Sequence, residues 1–268
     1  SFPKNMGGAI NSNAKETQPS LSADGRTIYF ASDRAGGKGG LDIWMSTQNE
    51  DGTWQIPVNL GDSINSQGDE MSPFIHPDDQ TLYFSSDYLI GMGGFDIFVS
   101  KRNKNGYWGK PKNLGYPINT SRDETGLIVN AQGTTAYFAS DINPENGRDI
   151  FQFELYKEVR PSEVSYMKGT VIDEKTRQRL QANFELYDLK DGKLINESRS
   201  DPVTGEFLVC IPTDRDYMLN VNRSGYLFYS DNFSLSGIFH VDEPYLKDVL
   251  LKPIVAGESV VLKNIFFE

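Results

Sequence analysis

The chain has 268 residues, a length that predicts two domains, each large enough to bury its own core. Its net charge of −11 would repel a nucleic acid backbone or an anionic membrane, so we expect no nucleic acid partner. No run of about 18 apolar residues occurs, and we expect no membrane-spanning segment. Residues 1–8 lack the apolar region of a signal peptide, which predicts that any targeting segment has been removed or never existed.

An internal repeat organises the first part of the chain. SADGRTIYFASD at 22–33 returns as HPDDQTLYFSSD at 76–87 and as NAQGTTAYFASD at 130–141, in steps of 54 residues. NMGGAINS near the N-terminus likewise returns as NLGDSINS and NLGYPINT in the same phase. Self-similarity at a fixed period is typical of solenoids, propellers and arrays.

Each repeat predicts four short strands separated by turn residues. In the first copy they lie near PSLS, at TIYFAS, at DIWMST and from Trp54 through VNLG, all rich in residues that suit a pleated sheet. Asp24-Gly25 and its counterparts Asp78-Asp79 and Gln132-Gly133 predict the turns between the first two strands. Because one such sheet cannot bury both faces alone, we expect the sheets to pack on one another as propeller blades.

The pattern SLSADGRTIYFASDR followed by DIW resembles the TolB-type, WD40-like (PD40) propeller repeat. The resemblance covers about residues 5–160 and implies an all-β fold in which residues 1–160 form a partial β-propeller of three four-stranded blades. Known propellers close with roughly four to eight blades. We therefore expect a fragment of a larger propeller, with a ring of three plus three blades from two chains as the alternative.

A second domain is predicted over residues 161–256, where the repeat phase ends. Alternating runs such as NFELYD and YMLNVNRS predict a β-sandwich, in which Tyr217, Leu219 and Val221 share one face. The domain resembles the carboxypeptidase regulatory-like domain, a transthyretin/Ig-like sandwich without peptidase activity. Cys210, the single cysteine, is interpreted as a buried small apolar residue.

Residues 257–268, a linker and an apolar run, resemble the first strand of an OmpA-like domain. Propeller, regulatory-like sandwich and OmpA-like domain in this order resemble an OmpA family of envelope proteins of the Bacteroidetes, which includes a type IX secretion component. The resemblance implies a periplasmic, outer-membrane-associated protein that reaches peptidoglycan through a C-terminal domain missing here. It also implies envelope proteins as partners of the propeller.

Signatures of catalysis and of cofactor binding are missing from the sequence. His76 and His240 fall in different domains without zinc-ligand spacing, and His76 is interpreted as an exposed turn residue. G-x-S-x-G does not occur, the sialidase Asp-box is not matched, and GGKGG at 36–40 lacks the rest of a phosphate loop. We expect no enzyme activity, no metal and no cofactor.

Acidic and tryptophan positions recur once per repeat and are interpreted as structural. The acids would accept backbone N–H bonds from adjacent loops, with calcium binding as the alternative. The tryptophans would pack within the blades. These positions are Glu16, Glu70, Glu124, Asp33, Asp87, Asp141, Trp54 and Trp108.

Function is expected where the copies differ, in the loops after the second strand of each blade. Apolar residues in the second loop suggest a protein partner, unless they fold back onto the blade. The candidate partner-binding face comprises Arg34, Lys38, Tyr88, Leu89, Ile90, Met92, Asn143 and Glu145. The sequence thus favours a non-enzymatic scaffold. The alternatives are a carbohydrate-binding or glycan-hydrolysing propeller, with Trp54, Tyr88 and Trp108 as sugar platforms, and a TolB-like translocation accessory.

Overall fold

The computed structural model describes residues 2–49, 51–143, 145, 147–190, 192–235 and 245–255. The chain is all-β and forms several sheets, with a single 3₁₀ turn at Lys157–Val159 among the described residues. It divides into two compact units, Ser1–Glu163 and Val164–Glu268. The predicted boundary after residue 160 falls just before this division.

The first unit contains three antiparallel sheets that follow one another along the chain. The first sheet has the order β1-β2-β3-β4, the second β5-β6-β7-β8 and the third β11-β10-β9. The strands are β1 (Glu16–Leu21), β2 (Thr27–Ser32), β3 (Asp42–Thr47), β4 (Val58–Asn59), β5 (Glu70–Ile75), β6 (Thr81–Ser86), β7 (Asp96–Lys101), β8 (Lys112–Asn113), β9 (Glu124–Val129), β10 (Thr135–Ser140) and β11 (Asp149–Glu154).

The third sheet differs from the prediction of four strands. Within the described residues it has three, because the chain leaves β11 through the 3₁₀ turn and does not return to its edge. The fourth strands of the other two sheets are only two residues long. The edge strand β11 therefore lacks the neighbour that β3 and β7 have.

The turns and bulges repeat with the sequence. In each turn after the first strand, the fourth residue, whose N–H closes the turn, has positive φ: Gly25 at 70°, Asp79 at 52° and Gly133 at 68°. Glycine enters this region without steric cost, and aspartate tolerates it better than most residues. The first strand of each sheet also carries a register shift.

The three sheets bury apolar side chains between them. Tyr29 and Ile43 of the first sheet lie in one cluster with Leu82, Phe84 and Phe98 of the second sheet. The next cluster contains Tyr83 and Ile97 of the second sheet, which are the counterparts of Tyr29 and Ile43 one repeat later. Side chains of the third sheet cover them. One face of each of the first two sheets is thus covered by the sheet that follows it in the chain.

The second unit has a core of its own between two sheets, with the strand orders β15-β12-β18 and β14-β13-β16-β17. Tyr217, Leu219 and Val221 are at most 1% exposed, as the alternation predicts. The strands are β12 (Val164–Asp173), β13 (Asn183–Asp188), β14 (Leu194–Arg199), β15 (Glu206–Pro212), β16 (Asp216–Asn222), β17 (Tyr229–Ser234), β18 (Tyr245–Leu246) and β19 (Val249–Leu251). Both β18 and β19 pair with β12 in parallel.

Two predictions about single residues are wrong. His76 is fully buried, because the turn that carries it packs against the third sheet. Cys210 is only half-buried, since it alternates with Val209 and Ile211, which take the core side of β15. The predicted OmpA-like strand at 257–268 lies outside the described residues.

Candidate interaction surface

Three loops at equivalent positions carry the predicted partner-binding residues. They are the β2–β3 loop (residues 33–41), the β6–β7 loop (residues 87–95) and the β10–β11 loop (residues 141–148). Each follows the second strand of its sheet, so the repeat places all three at the same end of their sheets. Their first residues are Asp33, Asp87 and Asp141.

These aspartates brace the loops that precede the first strands. The Oδ1 atoms of Asp33, Asp87 and Asp141 accept backbone N–H bonds at 2.8, 2.7 and 3.0 Å from Lys15, Asp69 and Asp123. Each bond spans 18 residues, so the repeat preserves its geometry. A carboxylate that accepts such a bond fixes the start of its loop.

The repeated glutamates also hold the loops that precede the first strands, through hydrogen bonds to their carboxylates. Glu70 accepts a backbone bond from Ser66 at 2.7 Å and a hydroxyl bond from Ser86 at 2.7 Å. Glu124 makes the matching bonds with Thr120 and Ser140, at 2.9 and 3.0 Å. Burial raises the pKa of Glu70, which is fully enclosed.

Glu16 differs from its counterparts because a cation lies beside it. The Arg34 guanidinium donates to Glu16 Oε1 at 2.9 Å. Partial burial works to raise the pKa of Glu16, but hydrogen bonds from Ser12 and the charge of Arg34 outweigh burial and lower it. Within the described residues, no group of three or more His, Cys, Asp or Glu side chains is placed to hold a metal ion.

Arg34 does not belong to the exposed face that the sequence predicts. Its guanidinium donates to the Ile10 carbonyl at 2.5 Å and lies over the rings of Phe30 and Trp44, at 4.8 and 5.4 Å from their centroids. The side chain is only 11% exposed. Arg34 therefore packs against Phe30 and Trp44 of the first sheet and is mostly buried.

The glycines of the first two loops are required by close contacts between sheets. A Cβ atom on Gly39 would lie 2.2 Å from the Gly68 carbonyl oxygen, and one on Gly93 would lie 2.3 Å from that of Arg122. The neighbouring N–H groups of Gly40 and Gly94 donate to those same carbonyls, at 3.0 and 3.2 Å. These bonds attach each loop to the next sheet and hold it in place.

The β6–β7 loop presents apolar side chains on this fixed backbone. Ile90 is 96% exposed, Tyr88 is 58% exposed and Met92 is 49% exposed. Leu89, in contrast, folds inward and packs against the cluster between the first two sheets. Three of the four predicted residues of this loop are therefore open to a partner, and one belongs to the core.

The other two loops are more polar. Lys38 forms an ion pair with Asp62 at 2.5 Å. Asn143 and Glu145 are exposed, and so is Ile142, which the sequence analysis missed. Ile142 stands directly after Asp141, as Tyr88 stands after Asp87, and this alignment could have identified it.

The two repeated tryptophans lie against apolar clusters. Trp54 packs on the cluster of Ile10, Ile28, Phe30 and Trp44. Trp108 meets Tyr29 of the first sheet edge to face, with 6.2 Å between the ring centroids, and the Arg102 guanidinium covers its ring at 4.6 Å. Of the three proposed sugar platforms, Tyr88 is the exposed one.

Comparisons with known proteins give weak similarities to solved structures. No family model matches the chain, and no curated protein matches it. Solved structures with some similarity include a putative TolB from Agrobacterium tumefaciens, with 14% identity and a TM-score of 0.36, over 76% of this chain and 61% of that one. The Bacillus anthracis TIE protein is 10% identical, with a TM-score of 0.29, over 91% of this chain and 59% of that one.

The pilin subunit BcpA of Bacillus cereus is 14% identical, with a TM-score of 0.28, over 85% of each chain. This chain spans less than two thirds of the length of the TolB and TIE structures. A long apolar helix that could cross a membrane does not occur among the residues described.

Proposed function

We propose that this protein is a non-enzymatic interaction scaffold of the bacterial envelope and that the β6–β7 loop is its main partner-binding element. One observation carries the proposal: Tyr88, Ile90 and Met92 are exposed on a backbone that hydrogen bonds hold in place. Exposed apolar groups on a rigid loop bind a protein partner at low cost in conformational entropy.

The bracing of the loop supports this assignment. The Met92 N–H donates to Asp96 Oδ2 at 2.6 Å, and the Phe95 N–H donates to Asp123 Oδ1 at 3.0 Å. At the other end, the N–H groups of Tyr88 and Leu89 point to Ser86 Oγ, both at 3.3 Å. A loop with this many anchors presents Ile90 in one conformation.

The cellular context of the proposal rests on the family resemblance of the sequence. Three stacked repeat sheets would form part of a propeller, the second unit would act as a spacer, and a C-terminal OmpA-like domain would attach the assembly to peptidoglycan. The protein would then work in the periplasm next to the outer membrane, with envelope proteins of a secretion assembly as partners. A TolB-like translocation accessory would use the same loop with a different partner.

Site-specific crosslinking tests the proposal. A photoreactive amino acid at position 90 should give a discrete adduct with one envelope protein in cells, and Met92→Asp should reduce that adduct by about tenfold or more, because the contact would bury an unpaired carboxylate in place of an apolar side chain. Ile56 supplies a matched control, because it is also an exposed isoleucine, at 85%. A probe at position 56 should give no such adduct, and equal labelling from both positions would contradict the proposal.

The carbohydrate alternative has its own test. Binding of the purified chain to a glycan array, or release of sugar from peptidoglycan, would favour that function over protein binding. Tyr88→Ala should abolish glycan binding in that case, because stacking on an exposed ring would supply the affinity. If the partner is a protein, the purified chain should bind no glycan on the array.

A further inference from the structure

A cleft of about 180 Å³ lies in the second unit, at one end of the β14-β13-β16-β17 sheet. Its volume exceeds the roughly 30 Å³ that one water molecule occupies in the liquid. It is smaller than the roughly 300–1,000 Å³ of sites for drug-sized ligands. The cleft therefore has room for a small ion or for one polar group of a larger ligand. It is lined by Gln181, Ala182, Asn183, Arg199, Asn222 and Arg223.

The register of the sheet brings three polar lining residues into one row. Asn183 on β13 pairs with Arg199 on β14 and with Asn222 on β16. Side chains at directly paired positions project from the same face of a sheet. The next residues along two of these strands, Phe184 and in the opposite direction Val221, are buried in the core. The row of Asn183, Arg199 and Asn222 therefore lies on the outer face of the sheet.

Arg223 is held in place beside this row. Its Nη1 group donates to the Gln181 carbonyl at 2.5 Å, and its guanidinium lies 5.6 Å from the centroid of the Tyr226 ring. The Tyr226 hydroxyl in turn donates to Asp173 Oδ2 at 2.7 Å, which fixes the ring. Because the bond to Gln181 uses Nη1, the Nε and Nη2 groups of Arg223 can serve a ligand. A cation that is positioned before binding loses little conformational entropy when the ligand arrives.

The lining of the cleft is cationic in an acidic chain. The net charge of the chain is −11, yet the lining residues include two arginines and no carboxylate. A guanidinium has five N–H donors and no acceptor, and the side-chain amides of asparagine and glutamine also donate. The planar fork of arginine matches a pair of oxygens of a carboxylate or a phosphate. A ligand with negatively charged oxygens therefore fits this lining.

Two glutamates lie one row further along the same face. Glu185 pairs with Glu197, two residues from Asn183 and Arg199 along their strands. Two residues of a strand span about 7 Å, whereas a charge-assisted hydrogen bond spans about 2.7–2.9 Å. The Glu185 carboxylate accepts from the Tyr187 hydroxyl at 3.0 Å. The glutamates therefore reduce the attraction for an anion at long range without lining the cleft.

We infer that this cleft binds a small oxyanion, either a free ion or the carboxylate or phosphate group of a larger ligand. The Nε and Nη2 groups of Arg223 would donate to two of its oxygens, and Arg199 would add a second positive charge. The amides of Asn183 and Asn222 would donate from the side of the sheet. The site belongs to the second unit and is independent of the β6–β7 loop.

NMR titration of the whole chain with sodium acetate and with sodium phosphate tests the inference. At constant ionic strength in chloride buffer, the Arg223 Nε–H signal and the side-chain amide signals of Asn183 and Asn222 should shift and saturate. The dissociation constant should be on the order of 1 mM, as a few charge-assisted bonds to so small an ion allow. Tighter binding of acetate identifies a carboxylate ligand, and tighter binding of phosphate identifies a phosphate ligand. Shifts that match those in sodium chloride alone, or that never saturate, would overturn the inference.

Charge variants distinguish binding from folding. Arg223→Gln should weaken binding by about tenfold or more, because it removes the charge-assisted bonds. Glu197→Gln should strengthen binding by about threefold, because it removes a negative charge about 7 Å away in a watery surrounding. Arg122→Gln makes the same change of charge as Arg223→Gln at an exposed position of the first unit and should have no effect. Loss of folding weakens binding in every variant, so a Glu197→Gln variant that binds more weakly, or an Arg223→Gln variant that binds normally, would contradict the site.

Discussion

The Nε2 atom of His76 lies 3.1 Å from the carbonyl oxygen of Asn130, so a buried imidazole joins the β5–β6 turn to the β9–β10 turn. Because a carbonyl can only accept, Nε2 carries the proton, and Nδ1 is left to accept from the Asp78 N–H at 3.2 Å. Asp78 in turn accepts from the Ser162 N–H at 2.9 Å. One ring thus links the second and third sheets.

Removal of this imidazole should destabilise the first unit. His76→Ala leaves the Asn130 carbonyl and the Asp78 N–H without their partner, which should lower the free energy of unfolding by about 2–4 kcal/mol. Urea denaturation followed by tryptophan fluorescence measures this value. Asn105→Ala, at an exposed loop position, should change stability by less than about 0.5 kcal/mol. Equal effects of the two substitutions would show that the bridge contributes little.

Asp79 should make the first unit less stable as the pH rises. Burial raises the pKa of Asp79 from 3.8 to about 7, and its neighbours Asp24 and Asp78 act in the same direction. The folded protein therefore holds a proton that the unfolded chain releases near pH 4. Between about pH 4 and pH 7 the unfolded state binds fewer protons, so this group's contribution to stability falls with rising pH.

Asp79→Asn should remove that loss. Asparagine tolerates the φ of 52° at this position and keeps an oxygen to accept the Ala23 N–H, but it does not ionise. Its free energy of unfolding at pH 8 should exceed that of the unmodified protein by about 2 kcal/mol, with a much smaller difference at pH 4. A difference that is independent of pH would contradict the assigned titration.

The glycines that attach the loops to the next sheet should not accept a side chain. Gly93→Ala would place a methyl group 2.3 Å from the Arg122 carbonyl oxygen and 2.6 Å from that of Thr120, and should cost about 2–4 kcal/mol. Gly8→Ala is the matched control, because its Cβ would meet no atom within 4 Å. Thermal unfolding of both variants gives the comparison, and similar midpoints would mean that the loop shifts freely.

The sequence by itself determined the strands and turns of this protein. Strands β2, β3 and β13 form at the residues predicted for them, TIYFAS, DIWMST and NFELYD. Local alternation and the residues of the flanking turns determine such segments. The 54-residue period determined that the first three strands of each sheet would be alike. It also gave the repeated carboxylates a common role, since identical positions make identical hydrogen bonds.

Tertiary structure decided which of these residues are accessible. His76 and Arg34 read as exposed polar residues, yet both are enclosed by side chains and backbone from other segments of the first unit. Ile43 and Ile150 occupy the same register position, yet Ile43 is 0% exposed and Ile150 is 81% exposed. Burial depends on what packs against a residue from another part of the chain, and a local pattern does not record that neighbour.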